Sequence, residues 1–220
     1  MNPETEKTMA FFGKMTANLT HEFKNILAII QESAGLMEDI MAISPLSKEK
    51  YQDRFNNSMA TIKNQLHRGM QLAARFNKFA HAPDQTNAQM DLDETIDHFC
   101  TLTERFARLK NISLQAGKGT PPGANLTTNP VLFYMALFYG LESCLAVLPA
   151  NTSISIAPAE KNGRQAVEIV CSGPQAPSAD EFSDGLRKSD SWNELEDAAG
   201  QLEAEIECET RNLCLRLIFK

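Results

Sequence analysis

His21, with Glu22 beside it and Asn25 one turn further on, forms the group in this 220-residue chain whose residue types and spacing suit chemistry. A neutral imidazole is a nucleophile near pH 7, and a carboxylate that takes the proton from one ring nitrogen leaves the other free to attack phosphorus. Glu22 is placed to take that proton or to orient a partner group. Asn25 is placed to hold a water or a phosphoryl oxygen beside the ring.

These residues must be carried by a long helix. Asn2-Pro3-Glu4 suits a helix start, and a helical run extends from about Met9 to about Ala42. It is expected to stop near Ile43-Ser44-Pro45, because the residue before proline is biased out of helical geometry. Phe12, Thr16, Leu19, Phe23, Ile26, Ile30, Ser33, Met37 and Ile40 alternate steps of four and three, the repeat of a helix that packs along a seam. At about 100° per residue, His21 lies roughly 200° from both Leu19 and Phe23 and faces away from that seam. Its own face carries Lys14, Ala17, Asn18, Asn25 and Ala28, with Lys24 close by, a polar surface with small residues that a docking partner can approach closely.

A second run has the same period through Phe55, Met59, Ile62, Leu66, Gly69, Ala73, Phe76 and Ala80. Two long helices with a short connection make an antiparallel hairpin, and one hairpin cannot bury both seams. Pairing two copies into a four-helix bundle does, so a homodimer with His21 on its outside is expected. Ala82-Pro83-Asp84-Gln85-Thr86-Asn87 closes this region, giving a hairpin domain at 1–84 and a second domain at 85–220.

Composition narrows the classes. A net charge of -7 and a pI near 5.2, with no basic cluster interleaved with aromatics, argue against nucleic-acid binding. Met1-Asn2-Pro3-Glu4-Thr5-Glu6 lacks the basic and then apolar pattern of a signal peptide, so a cytoplasmic location is expected. The apolar run from Val131 to Leu148 contains Gly140, Glu142, Ser143 and Cys144, and reads as a buried helix in preference to a membrane span. Cys100, Cys144, Cys171, Cys208 and Cys214 are scattered, with no pair at metal-ligand spacing, and read as reduced and mostly buried. His67, His81 and His98 lack metal-ligand company, and Trp192 reads as packing.

Beyond the linker, Asp93 opens a helix through Ile96, Phe99, Leu102, Phe106 and Leu109, followed by the strand-like Ile112-Ser113-Leu114. Lys118 to Gly123, with Pro121 and Pro122, reads as a loop, and Asn129-Pro130 starts the apolar helix. Ser153–Ile156 and Ala166–Val170 alternate and are joined by a turn around Lys161-Asn162-Gly163. Trp192 to Leu202 reads as a helix, with Ala204–Cys208 and Leu213–Ile218 as a closing hairpin. Helices on one side of an antiparallel-rich sheet make an α+β sandwich.

Thr20-His21-Glu22-Phe23-Lys24-Asn25, followed by Ile26-Leu27-Ala28, resembles the phosphoacceptor box of two-component sensor histidine kinases. The resemblance implies that His21 carries the phosphoryl group, that Glu22 assists transfer, and that Asn25 helps to dephosphorylate the partner. Ile26 stands where many members have proline, which removes a kink and no reactive group. The order of elements after the hairpin is similar to the kinase ATP-binding domain.

That second domain departs from the kinase pattern. The helical position that holds magnesium through asparagine is Ser143 here, with Glu142 beside it. The adenine-binding aspartate of the Asp-x-Gly-x-Gly pattern is replaced in Cys171-Ser172-Gly173-Pro174-Gln175, where the second glycine is a glutamine, and no glycine-rich lid follows. Serine reaches less far toward an octahedral ion. A thiol accepts poorly from an adenine amino group. The chain therefore resembles the histidine phosphotransferases of the ChpT type, which implies transfer between receiver-domain aspartates through His21. On that reading the chain binds no cofactor, and Mg2+ comes with the response regulator or hybrid-kinase receiver domain. The alternatives are a divergent sensor kinase core that still binds ATP, and a noncatalytic dimeric module that binds response regulators.

Overall fold

The computed structural model describes residues 2–42, 48–119, 123–209 and 212–220. The expected helix stop at Ile43-Ser44-Pro45 and the prolines Pro121 and Pro122 lie outside the described residues. The chain opens with two long helices, α1 (Pro3–Ala42) and α2 (Lys48–Ala80), followed by a 3-10 turn at Ala82–Asp84. Then come β1 (Ala88–Asp91), α3 (Leu92–Arg108), β2 (Ser113–Ala116), β3 (Asn125–Thr128) and α4 (Pro130–Val147). β4 (Ser153–Lys161), β5 (Arg164–Ser172), α5 (Ala179–Lys188), α6 (Trp192–Gln201), β6 (Glu205–Glu209) and β7 (Cys214–Ile218) complete it. The fold class is α+β.

The chain divides into two compact units, one of Lys14–Phe79 and the other of Met1–Gly13 with Ala80–Lys220. This division differs from the boundary expected after residue 84. The first turns of α1 group with the C-terminal unit because Phe11 is fully buried there, edge-on to Phe138 at 5.4 Å and tilted against Tyr139. Lys7 also pairs with Asp197 of α6.

Within the hairpin unit the seam lies one residue away from parts of the expected stripe. Met15, Asn18, Leu19, Glu22 and Ile26 are the buried positions of α1 in this unit, whereas Thr16 is exposed and Phe23 half-buried. On α2 the inward repeat runs Ser58, Ile62, Gln65, Gly69, Leu72, Phe76 and Phe79, all buried or half-buried, whereas Leu66 and Ala73 are exposed. Both helices carry two neighbouring stripes at four-three spacing, and a one-residue shift moves a stripe by about 100°. Periodicity alone does not say which stripe a single chain buries.

In the C-terminal unit a five-stranded sheet has the order β2-β4-β5-β7-β6, with β2 parallel to β4 and the other pairs antiparallel. Asn162 and Gly163 both have positive φ in the two-residue turn between β4 and β5, which matches the right-handed twist of a hairpin. Ile154, Ile156, Val167, Ile169, Leu215 and Leu217 point to one face and are fully buried. There α4 seats closely, since a Cβ on Gly140 would lie 2.9 Å from Ile169. On the other face Arg216 bonds Glu168, Glu207 and Glu209, so its guanidinium is satisfied although nearly buried.

Three elements, β1, β3 and α5, have no counterpart in the sequence reading. β1 and β3 form a separate antiparallel pair of four residues each, too short to show a period. Helix α5 is capped by Ser178 and Glu181 in a reciprocal capping box. Among the described residues α4 alone is long and apolar enough to cross a membrane, and 72% of it is buried inside the fold. Burial of this kind fits a core helix.

Gly173 has φ +144°, and a Cβ on it would lie 3.0 Å from the Thr152 backbone. Gly173→Ala should therefore cost about 1–3 kcal/mol, read as a lower midpoint in urea unfolding. Gly200 has nothing within 4 Å of such a Cβ, so Gly200→Ala should be neutral or stabilising by up to ~0.8 kcal/mol.

Candidate functional site

α1 sets the directions of the candidate side chains. His21, Lys24 and Asn25 are exposed, as are Lys14, Ala17 and Ala28. His21 and Asn25 are separated by one turn and lie on one face. Asn18 does not join that surface, since it is 3% exposed and lies at the seam.

Glu22 also turns inward. Its side chain is 9% exposed, and its Oε2 accepts a hydrogen bond from the Arg68 guanidinium on α2 at 2.8 Å. A carboxylate taken out of water needs such a partner, and a guanidinium supplies charge and hydrogen bond together. Arg68 keeps 42% of its side chain exposed, so it reaches from the seam to the surface. Sequence spacing puts Glu22 next to His21 and gives no sign of Arg68. The pairing joins positions 46 residues apart, a separation that no local pattern encodes.

The C-terminal unit shows what occupies the positions compared with a nucleotide site. Ser143 on α4 is fully buried and accepts a hydrogen bond from the Ser189 hydroxyl at 2.9 Å. Glu142 accepts one from Ser191, also at 2.9 Å. Both serines follow α5, whose Phe182 and Leu186 are buried. α5 approaches α4 closely, for a Cβ on Gly185 would lie 2.8 Å from Val147. Next along α4, the Cys144 thiol is hydrogen-bonded to Cys171 at the end of β5, and that bond together with burial raises its pKa well above the ordinary thiol range. Gln175 is exposed.

Among the described residues, no group of three or more His, Cys, Asp or Glu side chains could hold a metal ion. The other histidines have local partners. His98 is buried against the Tyr134 hydroxyl at 2.9 Å, His81 contacts the Asp84 carboxylate at 2.7 Å, and His67 contacts Gln71.

No family model matches the chain, and no curated protein matches it. Solved structures of histidine kinases are similar to it. The catalytic domain of histidine kinase ThkA is 16% identical with a TM-score of 0.47, covering 61% of this chain and 97% of that one. Histidine kinase AdeS of Acinetobacter baumannii is 11% identical with a TM-score of 0.46, covering 90% and 95% of the two chains. ThkA in complex with the response regulator protein TrrA is 19% identical with a TM-score of 0.44, covering 96% of this chain and 62% of that one. At these identities and scores no activity transfers to this chain.

All five cysteines are free thiols, and four are buried. Burial pushes Cys100 and Cys214 up to about 12, and Cys208, half-buried, is raised as well. Thiolate and access together set the labelling rate. In the folded protein Ellman's reagent at pH 8 should reach Cys208 first and Cys144 last, read by mass spectrometry of quenched digests. Early labelling of Cys144 would show that the packing of α4 on the sheet does not protect it.

Proposed function

We propose that this chain is a histidine phosphotransfer protein of a two-component phosphorelay, passing a phosphoryl group between receiver-domain aspartates through His21. The observation that carries this reading is the placement of His21 and Asn25 on one exposed face of α1, within the sequence of the acceptor box. In the step itself, an imidazole nitrogen lone pair forms the N–P bond as the P–O bond of the aspartyl phosphate breaks. The aspartate leaves as a carboxylate, and the proton on the other ring nitrogen passes to water or a carboxylate. Positioning in line and stabilising the developing charge account for most of the acceleration. The receiver's acidic pocket would bring the Mg2+ for this step.

Absence of ATP chemistry is part of the same proposal. The packing of Phe182 and Leu186 and the Ser189–Ser143 bond support it, because they close α5 over the stretch of α4 where a nucleotide would need room. The C-terminal unit then serves as a docking and stabilising body in the cytoplasm.

A homodimer is proposed as well. Leu27, Ala34 and Met41 repeat every seven residues on α1, as do Met59, Leu66 and Ala73 on α2. Leu27, Met41, Leu66 and Met70 are 63%, 66%, 53% and 73% exposed. A second hairpin would bury this stripe in a four-helix bundle.

His21→Ala should abolish acid-labile label transferred from a phosphorylated receiver while leaving the circular dichroism unchanged, because the side chain is exposed. Label that persisted would overturn the assignment. Asn25→Ala should slow dephosphorylation of the receiver about tenfold or more with a smaller effect on transfer. Met70→Glu should weaken self-association more than tenfold in sedimentation velocity, and a chain that sediments as a monomer at every concentration would contradict the dimer.

A further inference from the structure

The residue beside the acceptor histidine is held by a partner that the sequence pattern does not reveal. Glu22 lies in the hairpin seam with Arg68 at 2.8 Å, whereas His21 is exposed. The two side chains leave α1 about 100° apart, so a carboxylate bound to Arg68 is directed away from the imidazole. Lys14 and Lys24 share α1 with the pair, and His67, next to Arg68, and Arg75 share α2.

We infer that Arg68 is a positioning residue for the acceptor site: its ion pair turns Glu22 into the seam and withholds the carboxylate from His21 until the pair opens. This rests on the reading of His21 as the phosphoryl acceptor. The consequence is chemical. A carboxylate that reaches the imidazole favours the imidazolium and lowers the share of neutral nucleophile, whereas one held by Arg68 leaves that balance alone. Arg68 is half in solvent, so an acidic receiver surface docking beside His21 can compete for its guanidinium and free Glu22 when a proton must be taken from the ring.

The test is an NMR titration of the His21 imidazole in the full chain, with resonances assigned from His21→Ala. Arg68→Gln should raise the His21 midpoint by about 0.5 pH unit, the size of an exposed ion pair. Arg68→Lys should keep the wild-type midpoint, and adding Glu22→Gln to Arg68→Gln should remove the rise. A rise that survives in the double variant would mean that Arg68 acts on His21 directly, which overturns the inference. So would an unchanged midpoint in Arg68→Gln. Should Arg68→Gln fail to fold, Glu22→Gln alone decides: the inference requires no change in midpoint, and a fall refutes it. The titration gives its answer whether or not His21 takes a phosphoryl group, and receiver labelling decides that second question independently.

Discussion

The candidate site depends on one ion pair: the Arg68 guanidinium bonds the Glu22 carboxylate at the seam, while His21, about 100° round α1, is exposed. Asn25, one turn beyond His21, is exposed with it. The seam that accepts this pair is itself unusually polar, with Asn18 on α1 and Ser58 on α2 both buried. Seam polarity favours one register of the two helices over its neighbours, the best-attested use of buried polar groups in helical pairs.

The C-terminal unit is built differently. Its core is the apolar face of a five-stranded sheet against α4, and α5 and α6 pack on α4 in turn. Ser143, Cys144 and Cys171, which stand where a nucleotide site is expected from the order of elements, are bound to one another or to Ser189. Each of the three thus has a hydrogen-bond partner within the fold. A buried group whose hydrogen bond is already made gains little by exchanging it for a ligand.

Much of this was legible in the sequence. The hairpin, the apolar helix α4 with its Asn129 cap, the Asn162-Gly163 turn and the closing pair β6 and β7 followed from period, caps and turn chemistry. What period could not supply was the phase of the seam, because adjacent stripes on α1 and α2 are both apolar enough to pack. Long-range pairings such as Glu22–Arg68 have no local signature. Helix α5 was legible in principle, through Ser178-Ala179-Asp180-Glu181, yet its apolar positions Phe182 and Leu186 are few and follow a loop rich in proline. The attachment of the first turns of α1 to the C-terminal unit turns on Phe11, which the four-three stripe through Phe12 passed over.

Donor choice tests the central claim most directly. The chain is incubated with Mg2+ and labelled ATP alone, and separately with a receiver domain already phosphorylated on its aspartate, and the mass and acid lability of the product are followed. The account predicts phosphohistidine at residue 21 only from the receiver. Phosphohistidine formed from ATP alone would contradict it and make the chain a kinase.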